Sequence, residues 1–222
     1  MSFELSPPLY NALQKLVNRN YDTVGALIQS MKTEHPGRAL EVGCGTGSLS
    51  RFFEPQAYVG IDLDSKRINL ARDLHPQHEF TIADATTLDP SWLAQFAFVF
   101  CHAFIHHIDD SGVKRIIASF ENASRLAGAP VHLLIMEPLL PENTFSNVPG
   151  YVLGKLDRGR YMRKCSRFKA LLEHKINRFE ITQGPWYWPL PGANCVLEFR
   201  ASHEKLAAET SQNGARSRSA RA

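Results

Sequence analysis

Between Ala39 and Met136, short apolar runs alternate with amphipathic segments, and this alternation constrains the fold more than any other feature of the chain. The apolar runs predict strands, and the segments between them carry apolar residues at helical spacing. Strands separated by helices are typical of βαβ units, which build a parallel sheet with helices on both faces. The predicted strands are Ala39–Val42, Tyr58–Ile61, Phe80–Ala83, Phe96–Cys101 and Val131–Met136, and the predicted helices include Ser65–Leu74 and Ser111–Leu126.

The residues on either side of this alternation follow other patterns. Leu9–Met31 has helical spacing interrupted at Asn20, which predicts two helices. Glu137–Cys165 contains several prolines and glycines and predicts a long connection. A short helix at Ser166–His174 and an antiparallel pair of strands are expected to follow, the strands being Phe179–Gln183 and Cys195–Arg200.

A single domain is expected, because the chain has 222 residues and 44% of them are hydrophobic. We predict an α/β fold with a Rossmann-like, doubly wound and mostly parallel sheet. Residues 1–36 would form helices that cover the pocket, and residues 37–200 the main domain. Residues 137–178 would be an insertion on the substrate side that acts as a lid. Residues 201–222, which are polar and rich in arginine, predict a disordered tail.

Charge and cysteine content exclude several kinds of protein. No stretch approaches the ~20 apolar residues of a membrane span, and the opening residues lack the pattern of a secretion signal, so we expect a cytoplasmic protein. The four cysteines form no CxxC pair, so we expect neither a disulfide framework nor a metal site. The net charge of +3 is uneven, because residues 151–178 carry nine Lys and Arg and only two acidic residues.

A glycine-rich loop follows the first strand of the alternation, in the stretch "ALEVGCGTGSLSRFF". In a doubly wound sheet, ligands bind beyond the carboxyl ends of the strands, and Gly43, Gly45 and Gly47 fall at that edge. Their spacing is GxGxG, which differs from the GxGxxG of dinucleotide-binding loops. The carboxylate of Glu41 would repel a phosphate and favours a cationic ligand. A helix is expected after the loop.

Two further carboxylates end the next two strands. Asp62, in "YVGIDLDS", stands where a carboxylate can accept hydrogen bonds from both hydroxyl groups of a ribose. Asp84, in "FTIADATTLD", ends the third strand, where it can accept a hydrogen bond from an exocyclic amine. Asp64 or Ser65 predicts an N-cap of the following helix. Together these residues indicate a site for a cationic nucleoside.

The motifs "EVGCGTG", "GIDLD", "IADA" and "FAFVFCHAFIHHI", in this order, resemble those of class I S-adenosylmethionine-dependent methyltransferases of the small-molecule type. The resemblance covers about Arg38 to Pro138. It implies a seven-stranded sheet whose last strand is antiparallel, with S-adenosylmethionine as cofactor.

The resemblance also implies roles for individual residues. Gly43, Cys44, Gly45 and Gly47 would surround the methionine part of the cofactor, and the backbone near Cys101 and His102 would receive its α-amino group. The remaining residues would bind the adenosine part of the cofactor. Asp62 would hold the ribose, Leu63 would pack on the adenine ring, and Asp84 with Ala85 would lie near the adenine amine.

Candidate catalytic groups follow the fourth and fifth strands. A sulfonium methyl group is already activated, so a base is needed only where the acceptor must lose a proton. His106 and His107 follow the fourth strand at the rim of the predicted pocket, and either of them is a candidate base or a residue that shapes the cofactor site. Glu137, at the end of the fifth strand, is an alternative base or substrate anchor.

The basic insertion and a later aromatic connection supply candidates for substrate binding. Guanidinium groups bind phosphates and carboxylates in a bidentate manner, so these arginines suit an anionic acceptor. Solvated ion pairs for the arginines and a core position for the tryptophans are the alternatives. The candidates are Arg158, Arg160, Tyr161, Arg163, Trp186 and Trp188.

The predicted function is methyl transfer from S-adenosylmethionine to the oxygen or nitrogen of a small, possibly anionic molecule in a biosynthetic or tailoring pathway. A nucleic-acid methyltransferase ranks second, because the basic segment and tail suit phosphates. Against it, "CHAF" stands where enzymes that modify base amines carry an Asp/Asn-Pro-Pro-aromatic motif. A protein that binds the cofactor without turnover is the third alternative.

Overall fold

The computed structural model describes residues 21–143, 145, 147–156, 159–172, 176–180 and 192–200. The helices in this part of the chain are α1 (Tyr21–Glu34), α2 (Ser65–Leu74), α3 (Pro90–Leu93), α4 (Asp110–Ala127), α5 (Val148–Leu156) and α6 (Cys165–Leu172). The strands are β1 (Ala39–Val42), β2 (Tyr58–Asp62), β3 (Glu79–Ile82), β4 (Phe98–His102), β5 (Val131–Pro138), β6 (Ile176–Glu180) and β7 (Gly192–Phe199).

The strands form one sheet of seven in the order β3-β2-β1-β4-β5-β7-β6. Strands β1 to β5 pair in parallel, and β7 runs antiparallel to both of its neighbours. The predicted Rossmann-like α/β architecture, mostly parallel with an antiparallel last strand, is confirmed. The strand order reverses between β1 and β4, which creates a crevice at the carboxyl ends of these strands.

Apolar side chains fill both faces of the sheet. On one face, α4 packs Ile116 and Phe120 into a cluster that includes residues of β1, β4, β5 and β7. On the other face, α1 packs Val24 and Ile28 against aromatic residues of β2 and β4. These strands are buried on both faces, which explains why they stand out in the sequence as continuous apolar runs.

Two segments differ from the sequence prediction. The glycine loop is followed by a single 3₁₀ turn, Ser50–Phe52, where a helix was expected. The chain reaches Pro55 only a few residues later, so there is no room for a longer helix. The connection after β5 contains α5, which the sequence analysis missed because a proline and two glycines interrupt its pattern. The proline stands in the first turn, where the absence of its N–H is tolerated.

Several predicted features lie outside the described residues. These are the first of the two N-terminal helices, Arg158, the connection with Trp186 and Trp188, and the tail 201–222. Within the part of the chain that the structure describes, no helix combines the length and apolar character that crossing a membrane requires.

Candidate active site

The glycine loop bends back over the end of β2. The backbone N–H groups of Gly43 and Cys44 both donate to the carbonyl of Ile61, at 2.8 and 2.9 Å. Gly43 has a φ of +75°, and a Cβ there would come within 2.2 Å of the Phe104 ring. Gly45 has a φ of +56°, and nothing would contact its Cβ within 4 Å, so the loop meets open space at that point. Glycine at both positions is therefore required by backbone conformation.

Asp62 holds the loop from the end of β2. Its Oδ2 accepts a hydrogen bond from Gly45 N at 2.9 Å, and its Oδ1 accepts one from Asp64 N at 2.9 Å. An ionised carboxylate offers about four lone pairs, so each oxygen keeps one for a further donor. Asp64 in turn caps α2, as predicted, by accepting from the N–H groups of Lys66 and Arg67.

A cleft of about 480 Å³ opens between the glycine loop, the end of β2 and the loop after β4. The volume lies within the range that small-molecule and cofactor sites occupy. Eight of the predicted site residues line it: Glu41, Gly43, Cys44, Gly45, Asp62, Leu63, His102 and His107. Leu63 is 69% exposed, which leaves an apolar surface open for an aromatic ring.

Four other predicted cofactor residues do not line this cleft. Gly47 approaches Phe80, and Cys101 is buried in the core. Asp84 is exposed, and its Oδ1 accepts hydrogen bonds from Thr86 N and Thr86 Oγ1, both at 2.8 Å. It thereby caps the 3₁₀ turn that begins at Ala85. Contacts of Asp84 and Ala85 with adenine therefore stay predictions.

Eight lining residues were missed by the sequence analysis: Thr46, Ser48, Leu49, Asp64, Arg67, Ala103, Phe104 and Ile108. Thr46 and Ser48 follow from the register of the glycine loop, since they alternate with the glycines already identified. Phe104 was detectable as the large side chain of "CHAF" in the fourth motif. That it covers Gly43 depends on how the two loops pack together.

Glu41 lies beneath the glycine loop and is only 3% exposed. Tyr58 Oη donates to its Oε2 at 2.5 Å. Burial raises the pKa of the Glu41 carboxyl to about 8, an effect that the hydrogen bond from Tyr58 opposes and the charge of Asp62 reinforces. The ionised form attracts a cation, so we expect a sulfonium ligand to bind more tightly as the pH rises towards 8.

The raised pKa of Glu41 predicts how stability depends on pH without cofactor. In the unfolded chain the group titrates near 4.5, so between 4.5 and 8 the folded protein holds the extra proton and loses stability as the pH rises. Between pH 6.5 and 8 we expect the free energy of unfolding to fall by up to ~1.4 kcal/mol per pH unit. Calorimetric scans of wild type and Glu41→Gln measure this, and the variant should lose the slope. Glu54→Gln, at an exposed position, is the control and should retain it.

Burial lowers the pKa of His102 to about 4, against the opposing charge of Glu137. The ring is therefore neutral at neutral pH. A neutral imidazole does not repel a cationic cofactor, which fits a position in the cleft. With this pKa, His102 is a poor proton acceptor at neutral pH.

His106 and Glu137 form a buried pair beneath the loop after β4. Glu137 is 1% exposed and His106 is 4% exposed. The Glu137 carboxylate accepts hydrogen bonds from the backbone N–H groups of Phe104, Ile105 and His106 at 3.1, 3.0 and 2.8 Å. His106 Nδ1 contacts the same carboxylate. This geometry favours a structural role for both residues over the catalytic role that the sequence suggested, because neither is among the residues lining the cleft.

Arg163 also differs from its predicted role, because the side chain is 6% exposed. Nε and Nη2 lie 2.9 and 2.8 Å from Asp110 Oδ1. Nη1 donates to the carbonyls of Ile105 and Tyr161, and Nη2 donates to that of Ile108. Every guanidinium nitrogen therefore has a protein partner, and Arg163 is not available to bind a substrate anion. Tyr161 and Arg160, from the same predicted set, are exposed.

Residues 39–128 match the model of the family described as "Methyltransferase domain". Among curated proteins, none matches the chain significantly. Several solved structures are similar in fold. The YcgJ protein of Bacillus subtilis is 13% identical, with a TM-score of 0.58 over 82% of this chain and 100% of that one. An S-adenosylmethionine-dependent methyltransferase of Methanosarcina mazei is 19% identical, with a TM-score of 0.55 over 76% and 94%.

The magnesium protoporphyrin IX methyltransferase of Synechocystis PCC 6803, solved with bound S-adenosylhomocysteine, is 20% identical, with a TM-score of 0.53 over 90% of each chain. The family match covers β1, the glycine loop, Asp62 and β4, which are the parts that form the cleft. Residues 39–128 therefore match a methyltransferase domain, and the chain shares its fold with S-adenosylmethionine-dependent methyltransferases.

Proposed function

We propose that this chain is an S-adenosylmethionine-dependent methyltransferase that acts on an oxygen or nitrogen of a small-molecule acceptor in a biosynthetic or tailoring pathway. The observation that carries the proposal is one cleft that joins the glycine loop, the carboxylates of Glu41 and Asp62, and an exposed histidine, His107. The cofactor would supply a methyl group bonded to a positively charged sulfur. The methyl group is transferred to the acceptor, and the sulfur leaves as a neutral thioether. The protein has to bind both molecules, align them and exclude water.

The residues of the cleft divide between the two parts of the cofactor. Glu41, in its ionised form, is a candidate partner for the positive charge of the cofactor. Asp62 has lone pairs left for the ribose hydroxyls. Leu63 presents apolar surface to the adenine ring. His102, Gly43 and Cys44 would enclose the methionine part.

Small-molecule specificity is supported by one of the structural neighbours, the magnesium protoporphyrin IX methyltransferase of Synechocystis PCC 6803. The charge distribution supports it too. Two arginines of the basic segment, Arg163 and Arg167, both pair with Asp110, and Arg163 is buried, so the segment presents fewer available cations than its sequence suggested. We therefore do not propose a nucleic-acid substrate. Arg160, Tyr161 and, outside the described residues, Arg158, Trp186 and Trp188 remain the proposed acceptor contacts.

Two measurements test the proposal. Calorimetric titration with S-adenosylmethionine and S-adenosylhomocysteine should show binding to the purified protein at a single site. Transfer of a radiolabelled methyl group should then occur with members of a panel of small phenols, carboxylic acids and amines, and not with total RNA. Binding without transfer to any panel member would contradict the enzymatic proposal, and transfer to RNA alone would contradict the small-molecule proposal.

His107 is the proposed general base where the acceptor carries a proton. Of the three candidates, it is the one that lines the cleft and is also exposed. We expect His107→Gln to lower kcat by roughly 10²-fold or more and to leave cofactor affinity within about twofold, because glutamine cannot take up the proton. His35→Gln, after the end of α1 and away from the cleft, is the control. An unchanged kcat would show that the acceptor needs no base from this residue.

A further inference from the structure

The loop after β4, residues 103–108, forms one wall of the cofactor cleft. Ala103, Phe104, His107 and Ile108 of this loop all line the cleft. Ala103 has a φ of +50°, which is unusual for a residue other than glycine. A backbone conformation of this kind persists only where its surroundings hold it in place. The contacts that hold the loop are therefore part of how the cleft is shaped.

Two buried ions of opposite charge hold the polar backbone groups of this loop. The Glu137 carboxylate accepts from three successive N–H groups, those of Phe104, Ile105 and His106. The Arg163 guanidinium donates to the carbonyls of Ile105 and Ile108, at 3.1 and 2.7 Å. Glu137 thus holds N–H groups of the loop, and Arg163 holds carbonyl groups of the loop. Burial strengthens each of these hydrogen bonds.

Arg163 belongs to the substrate-side segment, and it ties that segment to three other places. Next to it, Tyr161 N donates to the carbonyl of His106 at 2.9 Å, and Arg163 O accepts from Leu140 N at 2.8 Å. Its side chain pairs with Asp110 in the first turn of α4. Residues 159–164 are therefore anchored to the loop after β4, to the end of β5 and to the start of α4.

We propose that Arg163 is a positioning residue that couples the substrate-side segment to the cofactor cleft through the loop 103–108. Residues 159–164 are then a fixed support of the cofactor site and do not move as a lid. The inference rests on the proposed function, in that the ligand of the cleft is S-adenosylmethionine. It predicts that changes in a segment outside the cleft alter cofactor affinity as well as acceptor kinetics.

The geometry requires arginine at this position. A guanidinium presents several N–H groups in a fixed plane, and here they reach one carboxylate oxygen and three carbonyl oxygens at the same time. A lysine ammonium has three donors at the end of a flexible chain, so it would leave some of these acceptors without a partner. Arg163→Lys is therefore a sharp test, because it keeps the charge and most of the volume.

Arg167 provides a matched control. It pairs with the same carboxylate through Nη2 and Asp110 Oδ2 at 2.5 Å, but its side chain is 69% exposed. We expect Arg163→Lys to weaken S-adenosylmethionine binding by at least about tenfold, because a displaced loop misplaces the ligand. Arg167→Lys should stay within about twofold of wild type, as exposed ion pairs usually do. Calorimetric titration of both folded variants measures the difference.

A kinetic readout separates positioning from a loss of folded protein. Positioning predicts a raised KM for S-adenosylmethionine with kcat largely recovered at saturating cofactor, because the ligand reorders the loop. Loss of folded enzyme would lower kcat and leave KM unchanged. An unchanged KM and dissociation constant in Arg163→Lys would overturn the proposal, and so would an equal loss in Arg167→Lys.

Two measurements apply even if Arg163→Lys does not fold. Asp110→Asn removes the charge that holds Arg163 and should raise the dissociation constant by at least about threefold. In the wild-type protein, S-adenosylmethionine should slow hydrogen exchange at the amide of Tyr161 as well as across residues 105–108. A hydrogen-exchange rate at the Tyr161 amide that does not change when the cofactor binds would contradict the proposed coupling. Wild-type binding of S-adenosylmethionine is measured first, so failure of the proposed function itself is recognised separately.

Discussion

Replacing Asp62 with alanine is expected to weaken S-adenosylmethionine binding by at least ~1.5 kcal/mol, roughly tenfold in the dissociation constant. The variant lacks the carboxylate that is proposed to accept hydrogen bonds from the ribose hydroxyls. The substitution would also leave Gly45 N and Asp64 N without the oxygen atoms to which they donate at 2.9 Å each. The glycine loop would then no longer be preorganised for binding. Calorimetric titration with the cofactor and with S-adenosylhomocysteine measures the loss, and both ligands should be affected because they share the ribose.

Asp89→Ala is the matched control for Asp62→Ala. Asp89 also accepts a backbone hydrogen bond, from Ser91 N at 2.8 Å, but it caps α3 and lies outside the cleft. Its variant should bind the cofactor as wild type does. Asp62→Asn keeps one acceptor oxygen and should lie between wild type and Asp62→Ala. Wild-type affinity in Asp62→Ala would show that the ribose binds elsewhere.

Replacing Glu137 with alanine is expected to lower the free energy of unfolding by ~3–5 kcal/mol, the cost of removing one partner from a buried ionic cluster. The carboxylate is 1% exposed, and its loss leaves three backbone N–H groups and His106 Nδ1 without their acceptor. Thermal and urea unfolding measure the change. Glu54→Ala is the control, because Glu54 is an exposed carboxylate in another part of the chain.

The same variant distinguishes the two roles that Glu137 was given. A structural role predicts that stability and activity fall together in Glu137→Ala. A role as general base predicts wild-type stability with a kcat lowered by roughly 10²-fold or more. The second result would restore Glu137 as a catalytic residue and contradict its assignment as a support of the loop.

The sequence was sufficient to predict most elements of the sheet. The strand Ala39–Val42 and the helix Ser65–Leu74 have the bounds that were predicted. Other strands differ by only a few residues at their ends. These segments were predictable because their periodicity records burial on one or both faces, which is a property of each element alone. The helix Val148–Leu156 was missed because proline and glycine obscured its local pattern.

The side chains after β4 and β5 show what the sequence could not decide. His106 and His107 are neighbours of the same residue type, yet one is buried against Glu137 and the other is exposed in the cleft. Arg163 and Arg160 stand three residues apart in one basic segment, yet one is buried and the other exposed. The two residues of each pair are of the same type and belong to the same segment. Only their contacts with other segments therefore account for the difference in burial.

The sequence by itself determined the order of the strands along the chain, the position of the glycine loop, and the position of Asp62 at the carboxyl end of its strand, because each depends on local backbone preference or on where a buried strand ends. Only the tertiary structure decided which titratable side chains face the cleft. Those orientations depend on hydrogen bonds between distant segments, such as Glu137 with His106, 31 residues away, and Arg163 with Ile105, 58 residues away. Such pairs leave no periodic signal in a single sequence, since neither partner's local surroundings specify the other.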